Sequence, residues 1–268
     1  MLVKRWLTAI VLAALVIGVL LSGWTPLFFA LLVAASALSH REYLIMAFPD
    51  REQKPVRAAG IVLGLAVMAW PMFFPDANSA IFFTCLVVVS FLFFLFWPED
   101  VAGSLNRTGR FLLGLFYAPL LLSLFVYVWR ENHASMWLFF TLGVVFMGDS
   151  GAFYAGRTFG SHKLYPRMSP KKTVEGSLGG LAASILFALI FSSLAMGYIR
   201  WWESAILAVA LNLSGQLGDL FESMLKRSAG VKDSGVFLPG HGGMLDRIDG
   251  VLFSTPVLCV YLKYLFQG

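Results

Sequence analysis

Asp246 and Asp249 stand three residues apart at the start of an apolar run, so on one helical turn both carboxylates point the same way. Two hard anionic oxygens side by side suit Mg²⁺. Without a cation they repel one another, unless the intervening Arg247 neutralises them in a purely structural cluster. Upstream, Asn212, Gln216, Asp219, Ser223 and Lys226 are spaced 4, 3, 4 and 3 apart, which puts all five on one helix face. A polar stripe that continues an apolar run faces either another helix, as a polar seam, or a wet cavity. Between these two groups lie Lys226, Arg227 and Lys232, then Gly235, Pro239, Gly240, His241, Gly242 and Gly243. Glycines let backbone N–H groups approach phosphate oxygens, and Arg grips phosphate through two parallel bonds. His241 contacts phosphate, acts as an acid, or simply caps the loop. Acids for Mg²⁺ beside cations for phosphate are the inventory of phosphoryl or nucleotidyl transfer, where catalysis is chiefly positioning and charge neutralisation.

A second polar segment runs from Gly148 to Gly176. It carries Gly148-Asp149-Ser150-Gly151, Arg157, and Ser169-Pro170-Lys171-Lys172-Thr173-Val174-Glu175-Gly176. Lys171, Lys172 and Arg157 are secondary phosphate candidates; the ordinary alternative is a basic loop beside anionic lipid. For Asp149 and Glu175, spacing alone does not separate catalysis from structure.

These residues hang on a strongly apolar chain. Of 268 residues, 59% are hydrophobic and 13% charged, about half the charged share of a soluble domain. A helix needs about 20 apolar residues to cross a bilayer core. The runs that approach this are 6–22, 24–39, 58–74, 79–97, 111–129, 136–154, 178–199, 203–220 and 250–266. Gly23 and Pro26 divide the first two. With the N-terminus inside, seventeen of the twenty Lys and Arg residues fall on the cytoplasmic side, and merging the first two runs destroys that bias. The net charge of +5 then reports basic loops near anionic lipid, with no nucleic-acid partner. Lys4 and Arg5 before an apolar run resemble a signal peptide, but no small-residue cleavage site follows, so a retained first span is expected. Cys85 and Cys259 lie inside apolar runs and offer neither a disulfide framework nor metal spacing. The expected fold is all-α and polytopic, with about nine transmembrane helices. Residues 1–135 would form a scaffold with lipid access and dimer contacts. Residues 136–268 would form the catalytic region, with cytoplasmic loops at 155–177 and 221–249.

The 27 residues from Ser223 to Asp249 closely resemble, without a gap, the signature of the phosphatidate cytidylyltransferases, also called CDP-diglyceride synthases. Ser169–Gly176 and Gly148–Gly151 resemble that family's upstream blocks. The resemblance implies that CTP and phosphatidic acid give CDP-diacylglycerol and pyrophosphate at the cytoplasmic face of a bacterial-type inner membrane. It implies Mg²⁺ on Asp219, Asp246 and Asp249, a second, monovalent cation such as K⁺, and a homodimer among membrane lipids. Lys226, Arg227, Asp246, Asp249 and His241 become catalytic candidates. Substrate-binding candidates are Ser223, Lys232, Asp233, Gly242, Gly243 and Arg247, with Lys171, Lys172 and Arg157 behind them. Three rivals are a CTP-dependent lipid kinase, a CDP-alcohol phosphotransferase, and a transporter with an intramembrane polar pathway. The kinase needs a base for its alcohol. The phosphotransferase carries a longer, differently spaced acidic motif that is absent here, and the transporter has no use for a basic glycine loop beside three acids.

Overall fold

The computed structural model describes residues 2–97, 101–235 and 242–266, with backbone only for residues 2–9 and Glu52. Among the described residues the helices are α1 (Leu2–Ser22), α2 (Thr25–Ala47), α3 (Lys54–Phe73), α4 (Ser79–Leu95), α5 (Ser104–Val128), α6 (Ala134–Phe159), α7 (Val174–Ala195), α8 (Trp201–Ser228) and α9 (Leu245–Val260). A π-helical turn, Tyr261–Leu265, prolongs α9. Among the described residues, seven helical stretches are long and apolar enough to cross a membrane, beside the shorter apolar stretches Ile10–Ser22 and Ser79–Leu95. The architecture is that of an all-α polytopic membrane protein. Only helices satisfy every backbone polar group within one lipid-embedded segment. The break between α1 and α2 falls where Gly23 adopts a φ of +63°, and Pro26 sits in the first turn of α2, where its missing N–H costs nothing.

Among the described residues, the structure departs from a purely helical reading most clearly between α6 and α7. There β1 (Lys163–Tyr165) and β2 (Ser169–Thr173) form an antiparallel hairpin. Pro166 and Pro170, four residues apart, disfavour a helix there, and the chain satisfies its backbone by pairing with itself. The helices also outrun the apolar stretches that announced them. α6 continues to Phe159, α8 to Ser228, and α5 begins at Ser104. Their polar ends find protein partners, so the backbone has no reason to unwind where the lipid stops.

Small residues set the spacing of the bundle. A Cβ on Gly180 of α7 would stand 2.6 Å from the Gly148 carbonyl of α6, and one on Gly176 would stand 2.9 Å from that of Ala152. The two helices therefore meet backbone to backbone, the usual solution inside a membrane. Trp137, Phe140, Phe111 and Leu115 are fully buried in the interior, while Leu186, Ile190 and Leu194 of α7 face outward. One end of the bundle is closed by Trp129 Nε1 donating to Thr25 Oγ1 (3.0 Å) and Ser135 Oγ donating to Leu20 O (2.8 Å). The opposite end gathers the C-termini of α2, α6 and α8 with the N-termini of α7 and α9, and with them nearly every charged residue of the two polar segments.

Candidate active site

The polar stripe of α8 divides along its length. Asn212 Nδ2 donates to Ser184 Oγ of α7 (2.8 Å), and Ser184 Oγ donates to Val144 O of α6 (2.7 Å). Gln216 Nε2 donates to Asn212 Oδ1 (2.7 Å) and to Ser177 O (3.2 Å). The deeper half of the stripe is thus a polar seam tying α6, α7 and α8 together. Its outer half leaves the seam. Asp219 pairs with Lys172 of β2 (2.5 Å), and together they border a cavity of about 420 Å³. Asp149, Gly156, Arg157, Lys171, Ser177 and Gln216 also face it. The volume lies within the range of small-ligand sites. All three cations named as secondary candidates, Arg157, Lys171 and Lys172, therefore line one cavity.

Two turns beyond Asp219, Lys226 lies between two acids. Its ammonium is ion-paired with Glu222 on its own helix and with Asp246 Oδ1 of α9 (2.6 Å). Asp246 has further duties. Its Oδ2 accepts from Ser234 N (2.9 Å), Ser234 Oγ (2.9 Å) and Gly243 N (2.8 Å). Gly242 adopts a φ of +80°, and a Cβ there would stand 2.6 Å from Asp246 Oδ2. At least at these two glycines, the loop wraps a carboxylate of the protein itself.

Asp249, one turn along α9, accepts from Gly250 N through Oδ1 (2.8 Å). The negative charges of Asp219 and Asp149 both act on it. Asp149 in turn lies in the field of Asp219, Lys172 and Arg247. Asp219, Asp249 and Asp149 thus form an acidic group, with Lys172, Lys226 and Arg247 as its countercharge. Among the described residues no three His, Cys, Asp or Glu side chains stand together at metal-ligand spacing.

The remaining candidates scatter. Ser223 is buried on α8. Arg227 donates to Val231 O (3.0 Å) on the exposed side of its helix, apart from Lys226. Lys232 and Asp233 are exposed, as is Arg247. His241 lies outside the described residues. Glu175, undecided from sequence, holds the hairpin in place. Its carboxylate accepts from Ser161 N (3.1 Å) and His162 N (3.2 Å) and meets His162 Nδ1 (2.6 Å). With Thr173 Oγ1 accepting from Gly176 N (3.1 Å), it ties the hairpin to the start of α7.

Three acids gain a place that the sequence had not given them. Asp149 belongs to the cavity, and Glu222 is fully buried against Lys226. Glu42 of α2 reaches the start of α9 from about two hundred residues away. Glu222 had a sequence signal, four residues before Lys226 on one helix. Glu42, a single acid near the end of an apolar run, had none.

The cytidylyltransferase family model matches residues 3–265. The chain belongs to the cytidylyltransferase family. A phosphatidate cytidylyltransferase of Staphylococcus haemolyticus is 36% identical over 269 aligned residues, covering 96% of this chain and 98% of the relative. The Bacillus subtilis protein of that name is 32% identical over 274, covering 98% of both. The one from Thermotoga maritima is 33% identical over 210, covering 76% of this chain and 77% of the relative. Within this cytidylyltransferase the similarity therefore spans scaffold and polar end alike.

Proposed function

We propose that this chain transfers CMP from CTP to phosphatidic acid, giving CDP-diacylglycerol and pyrophosphate. The observation that carries the reading is a cationic cavity at one end of a membrane bundle, beside an acidic group. The full-length likeness to proteins named for this reaction supports it. In this reading the nine helices span a bacterial-type inner membrane with the polar end in the cytoplasm. CTP is found there, and a lipid headgroup lies at the same depth. The positive-inside distribution supports that orientation, and the protein acts as a homodimer.

Phosphatidate already carries negative charge near neutral pH, so its phosphate oxygen attacks the α-phosphorus of CTP without a general base. The bond between the α-phosphorus and the bridging oxygen breaks, and pyrophosphate leaves as an anion with no proton transfer. Two anionic reactants repel, so the chain's main work is neutralisation. Lys172, Lys171 and Arg157 face the triphosphate in the cavity. Lys226, steered by Glu222 and Asp246, adds a further cation where α8 and α9 meet. The acidic residues fit Mg²⁺ by their chemistry: they offer hard carboxylate oxygens, with no thiol or imidazole among the described neighbours. Asp219 and Asp249, with Asp149 beside them, would hold it, and a second, monovalent cation would share the group. When bound, Mg²⁺ lowers the repulsion between reactants and stabilises charge on the leaving pyrophosphate. Asp246 serves by holding Lys226 and the residues ahead of α9, since its oxygens already accept four bonds.

The test is incubation of the purified protein with CTP, Mg²⁺ and phosphatidic acid in mixed micelles. CDP-lipid and pyrophosphate should appear together, and chelation should stop both. CDP with a phosphorylated alcohol would indicate a kinase, and no lipid turnover would leave the transporter reading.

A further inference from the structure

α9 begins without a side-chain cap of its own: Met244, at its N-cap position, supplies none. The first N–H groups of a helix need partners. Here they come from a distant helix. Glu42 Oε1 accepts from Met244 N and Oε2 from Leu245 N, both at 2.9 Å, and Ser234 Oγ lies 3.2 Å from Oε2. Glu42 is 4% exposed, and among the described residues no cation pairs with it. Its two oxygens instead face the N–H groups at the positive end of the α9 dipole.

Two glycines make room for it. A Cβ on Gly235 would stand 2.7 Å from Glu42 Oε1, and one on Gly243 would also collide with the carboxylate. Ser234 links the two acids, since its hydroxyl lies within hydrogen-bond reach of both Glu42 Oε2 and Asp246 Oδ2. Glu42 and Asp246 therefore both hold the residues that flank the start of α9, Ser234 and Gly243 to Leu245. Asp246 is held directly, and Asp249 follows one turn later. Glu42 itself lines no part of the nucleotide-sized cavity.

We propose that Glu42 is a positioning residue for the transfer reaction. It caps α9 from α2 and, through that helix start and Ser234, fixes where Asp246, Lys226 and Asp249 point. The inference rests on the cytidylyltransferase reading above for its kinetic consequence, but the clamp itself can be tested without turnover.

The experiment compares Glu42→Gln with the unaltered full-length protein in detergent. Gln keeps the size but places an N–H donor against the N–H groups of α9. Amide hydrogen exchange at Met244 and Leu245 should quicken by roughly tenfold or more, while α6, α7 and α8 keep their protection and the thermal midpoint stays close to that of the parent. Displacing reacting groups slightly is costly, so kcat should fall by roughly tenfold or more, with KM for CTP within about threefold, because the cavity wall is untouched. Unchanged exchange at Met244 and Leu245 overturns the clamp. Faster exchange with a parental kcat overturns the positioning role. Faster exchange across all helices with a lowered midpoint makes Glu42 an ordinary fold stabiliser and also overturns it. If the unaltered protein makes no CDP-lipid, the reaction reading falls, and the exchange measurement alone still decides the clamp.

Discussion

Asp219 and Asp246 are both carboxylates paired with a lysine, yet they live under opposite constraints. Asp246 is 10% exposed and accepts four bonds, and its lysine is shared with the buried Glu222. Asp219 pairs with Lys172 on a short hairpin, its one ion-pair partner among the described residues, and the two are 34% and 25% exposed at the rim of the cavity. The molecule thus builds a locked half, where α2, α8 and α9 meet, and an open half, where α6, α8 and the hairpin meet. Fixed charge placed before reaction lowers a barrier, because nothing reorganises later. A half-exposed pair can yield to an incoming ligand more readily than a buried one. Under the proposed reaction, the contrast gives rigidity to groups that would face the reacting phosphorus and exchangeability to those that would meet the nucleotide.

Substitutions can break that contrast. Asp246→Asn should have the largest effect, a fall in kcat of about 10³-fold, since it removes a charge and loosens the loop. Initial rates of CDP-lipid formation would show it, and a loss below about tenfold would dissolve the locked half. Lys226→Met leaves Glu222 and Asp246 buried without their cation, so it should also destabilise by about 3–5 kcal/mol, measured as a drop in thermal midpoint in detergent. Asp219→Asn should cost about 10²-fold in kcat and raise the Mg²⁺ needed for half activity. A parental Mg²⁺ requirement would detach Asp219 from the cation.

How far these roles were legible depended on the range of the interaction. The helices followed from apolar length, and the break before α2 from Gly23 and Pro26. The pairing of Asn212 and Gln216 with α7 was left open, because a polar stripe reads the same whether it meets a helix or water. The hairpin escaped because three- and five-residue strands full of Lys, Pro and Ser carry no period. Gly242 and Gly243 suggested a phosphate cradle, since sequence shows that room exists and not what fills it; the occupants are Asp246 and Glu42. Glu42 was invisible because its partners lie at the other end of the chain.

Smaller effects sharpen the open half. Lys172→Gln should raise KM for CTP by about tenfold with kcat within a few-fold, because it removes one exchangeable charge from the wall. Glu175→Gln, which only slackens the tether of the hairpin, should change KM for CTP by no more than about threefold. If Glu175→Gln proved the more damaging of the two, the hairpin would be a rigid part of the site, and the division into halves would fail.

Transfer of CMP and transfer of a terminal phosphate differ in which phosphorus of the nucleotide reaches the lipid. Parallel reactions with CTP labelled at the α- or the γ-phosphorus, phosphatidic acid and Mg²⁺ answer that directly. The α-label should enter the lipid and the γ-label should enter pyrophosphate, in equal amounts. A γ-label in the lipid, with the α-label remaining in free CDP, would contradict the reaction derived from the site.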